Sequence, residues 1–325
     1  MNKIDLLNRI KRTILCKKRS WYRKQWNRLQ PMDFYKNPER MTSLWFAANE
    51  GHFPDLKHPG NFNELLMSLN MQAYHDSKKR ELFIQCADKY AVRQYVKDKG
   101  YANILNECYG VYDSFDEIDF SQLPNQFVLK LTTGCGMNFI CKDKAILNIN
   151  ELRLLVDAWF ENAKEFGLKT AEWHYVEIKP RLIVEKYLHQ FDEEVSLVDY
   201  KFHCFNGKIY GVDVMYDRDL LEHTSNDDLY DSEWNRTDAT LPQYHLSRRL
   251  LQKPVSFDRM KQIASNLSAG IDYVRVDLYE IDGEALFGEL TFTPAGCYEY
   301  DYRKEYLEEM CQYYYKTKGS ITLND

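Results

Sequence analysis

One stretch constrains the fold more than any other: VRVDLYEIDGEALFGELTF, residues 274–292. Its first half alternates, with Val274, Val276 and Leu278 on one side of an extended chain and Arg275, Asp277 and Tyr279 on the other. Asp282-Gly283 marks a turn, and Phe287, Glu289 and Thr291 share a face on the return. Such a pattern builds an antiparallel pair with an apolar face for a core and a polar face carrying an arginine and two acids. Strands tend to exclude Asp and Glu, so these acids either lie on a solvated face or do chemistry.

Loop length decides whether the acids meet. A two-residue turn pairs Asp277 with Gly288 and sends Glu289 to the opposite face. A three-residue loop, Asp282-Gly283-Glu284, pairs Asp277 with Glu289 and Arg275 with Thr291, and keeps Val274, Val276, Leu278, Gly288 and Leu290 together on the buried face. The second register is the expected one. Carboxylates set opposite each other repel unless a cation lies between them. This spacing suits Mg²⁺, which takes one or two carboxylates and keeps its other positions for water and phosphate. Glycosidases also pair carboxylates, but nothing marks a sugar cleft around these two.

Elsewhere strands pair through hairpins with helices between them, so the class is α+β rather than doubly wound. QFVLKL (126–131) reads as a buried strand that leads through the small residues of TTGCGM into a second strand. RLIVEKYL (181–188) reads as another, and VDYKFHCFNGKIYGVDVMY as a hairpin around Asn206-Gly207. Helices are expected from Asp88 to Gly100, from a cap at Asn150 to Gly167 with Leu152, Leu155, Val156, Trp159, Phe160, Ala163 and Phe166 inward, and over 256–269. Residues 1–85 read as helical and loop-rich, and a tyrosine-rich helix closes the chain.

Charge divides unevenly. Residues 1–40 carry twelve Lys/Arg against three Asp/Glu, a net +9, whereas the whole chain is −6 and the remainder therefore −15. A basic head suggests an anionic contact. No nucleic-acid reader motif accompanies it. Leu6, Leu7, Ile10, Ile14 and Leu15 fall on one helical face amid Arg9, Lys11, Arg12, Lys17 and Lys18. That face either packs on the body or lies on a membrane surface. No run reaches the roughly 20 apolar residues of a membrane span, and the N-terminus lacks a signal-type apolar region. Eight cysteines without a CxxC pair imply reduced thiols in a cytoplasmic protein and no zinc site.

Lys130 ends FVLK just before Gly134 and Gly136, a loop that is no Walker motif. In order, DKYAVRQYV, LPNQFVLK, IKPRLIVEKYL, DYKFHCFNGK, RVDLY and FGELTFTPAG resemble the ATP-grasp superfamily, nearest its teichuronopeptide-biosynthesis (TupA-like) branch, over residues 86–300. The resemblance implies two α+β subdomains clasping ATP, with a helical N-terminal extension. The expected divisions are 1–85, a basic helical region; 86–188, a linker helix and nucleotide-binding lid; and 189–325, the core with the metal site.

By the same resemblance, Glu185, Lys186, Tyr187 and Leu188 contact adenine, while Lys130, Gly134 and Gly136 cover the phosphates. Asp199 and Lys201 reach ribose and phosphate. Asp277 and Glu289 hold Mg²⁺, and Arg275 offsets charge on the transferring phosphoryl group. Thr291 stands where an asparagine ligand is usual, and its hydroxyl is a weaker ligand for a hard cation. Arg218, His203 and His223 are candidates for substrate contact. Asp88, Lys89 and Arg93 match the branch's DKY…R stretch in either a structural or a ligand role.

The implied reaction is ATP-dependent ligation of a carboxylate to an amine through an acyl phosphate. The branch points to an amino acid joined to a uronic-acid carboxylate of a bacterial capsule or O-antigen precursor, with residues 1–20 at the cytoplasmic face of the membrane. A kinase acting on a hydroxyl and an inactive nucleotide- or glycan-binding protein are the alternatives. A glycosyltransferase would carry Asp-x-Asp, which VRVDLY does not.

Overall fold

The computed structural model describes residues 3–170, 172–189, 197–219, 224–241 and 251–319, with side chains from residue 13 onward except at 219 and 224. Five helices come first: α1 (Lys3–Asn27), α2 (Pro38–Glu50), α3 (Phe62–His75), α4 (Ser77–Ala87) and α5 (Val92–Asp98). Polar side chains start three of them. Asn37, Asn61 and Asp76 accept backbone N–H groups from Arg40, Glu64 and Lys78 with Lys79. The helix expected from Asp88 starts at Val92 instead. The Asp88 carboxylate accepts the N–H groups of Tyr90 and Ala91 and holds 88–91 as a turn.

The first sheet comprises β1 (Cys108–Tyr112), β2 (Phe127–Leu131), β3 (Asn138–Cys141) and β4 (Leu182–Lys186), all antiparallel in the order β1-β4-β2-β3. Between β3 and β4 lie α6 (Ile149–Ala163) and the short α7 (His174–Glu177). α6 buries Leu152, Val156, Trp159 and Ala163 against Phe127, Leu129, Leu131, Leu182 and Val184. Its cap is Asn148 rather than Asn150, because the Asn148 side chain reaches the N–H groups of Asn150 and Glu151. Leu155, expected inward, is exposed.

The second sheet has β5 (Asp199–Phe205), β6 (Lys208–Asp219), β7 (Thr224–Asp231), β8 (Val274–Ile281) and β9 (Glu284–Thr291), antiparallel in the order β7-β6-β5-β8-β9. α8 (Phe257–Ser268) lies on its apolar face, with Phe257, Met260, Ile263, Ala264 and Leu267 set against Phe202, Cys204, Val212, Val274, Val276 and Leu278. Each large side chain buried there is worth about 1.5–3 kcal/mol. α9 (Lys304–Gly319) closes the chain against α3 through Leu307, Met310 and Tyr314.

The N-terminal helices fold back onto the segment after β9. Trp45 Nε1 donates to the Gly296 carbonyl at 3.0 Å, and the Tyr298 hydroxyl donates to Glu50 at 2.7 Å. Phe62 of α3 packs edge-on against His203 and Tyr273. These helices therefore cover one end of the second sheet's polar face and leave the other end to face the first sheet.

Candidate active site

The expected pairing of the acids holds, by a different device. Ile281 pairs with Glu284, so the turn has only two residues, Asp282 and Gly283, with φ of 53° and 80°. The extra residue sits in β9. Leu278 pairs with Phe287 but Asp277 pairs with Glu289, so Gly288 is a bulge. A Cβ on Gly288 would lie 2.9 Å from the Asp277 carbonyl oxygen. Only glycine fits, and the bulge returns Glu289 and Thr291 to the face of Asp277 and Arg275.

That face is an ordered charge array. Register aligns Glu289, Asp277, Lys201 and Asp213 across four strands, and Thr291, Arg275 and His203 in the next row. Arg275 clamps Asp277 with two bonds of 2.8 Å and lies 3.6 Å from Glu289. Its other contact is Thr291 Oγ1 at 3.4 Å, and that hydroxyl donates to Glu289 at 3.1 Å. The Glu289 side chain stays about half exposed; its partial burial raises the pKa, but Arg275, Lys89 and Lys201 outweigh that and hold the carboxyl below the usual range. Lys201 is 9% exposed, and its ammonium meets Met215 Sδ at 3.8 Å. Two cations and two acids at one edge can carry phosphate together with a divalent ion.

On the first sheet, Lys130 Nζ lies 2.8 Å from Glu185, whose other oxygen takes Arg93 at 3.1 Å. The Glu185 side chain is thus engaged by two cations. Lys186 is exposed, while Tyr187 and Leu188 are half-buried, with the Tyr187 ring against His189. Gly134 and Gly136 adopt φ of 70° and 72°, and a Cβ on Gly134 would lie 2.2 Å from Met137.

Lys89, expected in either a structural or a ligand role, lies between the sheets. Its ammonium donates to the Gly134 carbonyl at 2.6 Å and lies within electrostatic reach of both Glu289 and Lys130. Burial pushes its pKa down. The DKY…R stretch is the sequence signal that marks it, and the preceding Asp88 is ion-paired to Arg181.

Other expected residues are placed elsewhere. The Asp199 carboxylate is ion-paired with Arg218, so these two candidates engage each other. His203 is fully buried, with its ring nitrogens 2.9 Å and 3.2 Å from the hydroxyls of Tyr273 and Tyr302. Burial lowers its pKa to about 3. It belongs to the neutral core rather than to a substrate contact, because both nitrogens are taken by tyrosines. His223 lies outside the described residues.

The residues present fit Mg²⁺ with phosphate. Among the described residues no group of three or more His, Cys, Asp or Glu could hold a metal alone. A cation at Asp277 and Glu289 would depend on phosphate and water for its other ligands, as Mg²⁺ does.

Two antiparallel sheets of this connectivity, with cations and paired acids facing between them, define an ATP-grasp fold. The profile of the TupA-like ATP-grasp family matches residues 67–315, well over half of the chain, and the chain belongs to that family. Among curated proteins none matches it. Solved structures similar to it include D-alanine–D-alanine ligase from Bacillus anthracis, at 17% identity and a TM-score of 0.37, covering 64% of this chain and 57% of that one. The Helicobacter pylori enzyme of the same name gives 15% and 0.41, over 77% and 68%. An L-amino acid ligase from Bacillus licheniformis gives 13% and 0.37, over 64% and 43%. The chain thus spans little more than half the length of the first of these.

Proposed function

We propose that the protein is an ATP-dependent carboxylate–amine ligase that works through an acyl phosphate, joining an amino acid to a uronic-acid carboxylate of a bacterial surface-polysaccharide precursor. The observation that carries this reading is the Arg275–Asp277–Glu289 clamp with Lys201 in register beside it. A phosphoryl group passing from ATP to a carboxylate gathers negative charge at its oxygens, and Arg275 and Lys201 are fixed cations at that edge. Both are largely buried, so they need little reorganisation as charge develops.

Asp277 and Glu289, with the Thr291 hydroxyl, would hold Mg²⁺, which neutralises phosphate charge when bound. Lys130 and Lys89 stand on the first-sheet side, where the Gly134–Gly136 loop offers backbone groups to phosphate. In the reaction the substrate carboxylate attacks the γ-phosphorus and ADP leaves. The amine then attacks the acyl carbon, and phosphate leaves. No cysteine or serine nucleophile is needed, so catalysis is positioning and electrostatics.

The test is ADP release from Mg²⁺-ATP across a panel of amino acids crossed with uronic-acid glycans. Release that requires both partners supports the ligase. Release with a glycan alone and a stable phosphorylated product would replace this reading with a kinase.

A further inference from the structure

Lys130, the strand-borne cation of the first sheet, has its ammonium paired with an acid. Lys130 pairs with Ile183 and Val128 with Glu185, so Lys130 and Glu185 are diagonal neighbours on the sheet face turned away from α6. The Lys130 ammonium meets Glu185 at 2.8 Å, and among the described residues no other hydrogen bond or ion pair reaches it. One of its three donors is therefore committed to Glu185, and two are left for a ligand. A Glu–Lys pair alone is close to neutral as felt by an approaching anion. Glu185 by itself would aim Lys130 while cancelling the charge that holds phosphate.

Arg93 removes that conflict, and it comes from a different part of the fold. α5 is anchored in the second sheet's core by Val92 and Val96, and its Tyr95 hydroxyl donates to the Leu267 carbonyl at 2.6 Å. From there one guanidinium nitrogen of Arg93 donates to the other Glu185 oxygen at 3.1 Å, and a second donates to the Asn106 carbonyl at 2.7 Å. The Asn106 amide donates in turn to the Lys186 carbonyl at 2.9 Å. The Arg93 and Glu185 side chains are 15% and 11% exposed, whereas Lys130 is 32% exposed. Two cations against one acid leave a single positive charge, and Lys130 is its accessible end. Pairs this buried are screened less by salt than exposed ones.

We propose that Arg93 is a positioning residue for the nucleotide phosphates. It occupies Glu185 from one side, so that this acid orients Lys130 without cancelling the charge that Lys130 offers to phosphate. This rests on the nucleotide site in the reading above, and not on whether the product is an amide. The competing role is a purely structural tie of α5 to the Asn106–Lys186 segment, which needs the Arg93 fork but no charge on Glu185.

Binding of Mg²⁺-ADP and of adenosine to the full chain, followed by isothermal titration calorimetry, separates the two roles without turnover. Arg93→Gln should weaken Mg²⁺-ADP at least about tenfold and leave adenosine within about twofold, because the lost charge acts on phosphate. In a Glu185→Gln background nothing competes for Lys130, so adding Arg93→Gln should cost about threefold or less. Arg93→Lys, which keeps the charge, should stay within about threefold of the parent chain. Equal losses of ADP and adenosine, a loss of about tenfold that persists with Glu185→Gln, or parental ADP binding by Arg93→Gln would each overturn the proposal. So would an Arg93→Lys chain that melts like the parent yet binds ADP about tenfold more weakly, a test that holds even where Arg93→Gln does not fold. A parent chain that binds neither compound would overturn the nucleotide site as well, which distinguishes that failure from the others.

Discussion

Arg275 carries most of the site's organisation. It satisfies Asp277 through two bonds and draws Glu289 and Thr291 toward the same edge. Lysine cannot reproduce that planar fork. Arg275→Lys should lower the rate of ADP release about 10²–10³-fold, the usual cost of losing one preorganised donor to developing charge. A variant as fast as the parent chain would remove Arg275 from the mechanism. Glu299 gives a test in stability. Its carboxyl is raised from 4.5 to about 7 in the folded chain, so between those values the folded state holds a proton that the unfolded state has lost. The stabilisation is complete below the unfolded value and fades as pH rises through about 7. The shift corresponds to about 3 kcal/mol at most. Urea titrations from about pH 5 to about pH 8 should show the parent chain losing more stability than Glu299→Gln. Parallel slopes would show that Glu299 does not titrate in this way.

At the scale of elements, the β8–β9 pair depends on one glycine. The bulge at Gly288 restores Glu289 to the face of Asp277, and a methyl group there would press on the Asp277 carbonyl. Gly288→Ala should cost about 1–3 kcal/mol through forced backbone shift. It should also abolish Asp277-dependent ADP release, because a one-residue slip turns Glu289 to the opposite face. Full activity with an unchanged urea midpoint would contradict the bulge. The same argument applies to the segment after β9, which α3 grips at Glu299 through the Asn63 side chain. Removing that amide strands a backbone N–H and C=O, so Asn63→Ala should destabilise by about 1–3 kcal/mol.

At the scale of the molecule, the N-terminal helices lock the core and present a basic surface. α1 packs on α2, and Arg23 donates to Asn49 at 2.8 Å. Trp21, Ile14, Leu15 and Phe53 remain exposed beside the basic side chains of residues 17–24. No helix among the described residues is long and apolar enough to cross a membrane. If this surface meets anionic lipid, each basic side chain contributes about 1 kcal/mol. Removal of residues 1–20 should then reduce co-sedimentation with phosphatidylserine vesicles at least tenfold. Undiminished sedimentation would refute the membrane contact.

The sequence by itself determined the antiparallel sheets, the Asn206-Gly207 and Asp282-Gly283 turns, and the alternation that puts Arg275 and Asp277 on one face. These depend on neighbouring residues, whose spacing is legible in one dimension. It also placed Asp277 opposite Glu289, while assigning the extra residue to the turn rather than to Gly288. Local pattern counts residues between strands but does not say which one drops out of the ladder. Contacts between distant residues were beyond its reach. The ion pair of Glu185 with Lys130 and Arg93 and the insertion of Lys89 between the sheets join elements far apart in the chain. So do the burial of His203 under two tyrosines and the grip of Asn63 on Glu299. Only the packing of sheets and helices brought those charges within reach, because burial and neighbouring charge, not residue identity, decide whether an acid binds metal, pairs with arginine or takes a proton.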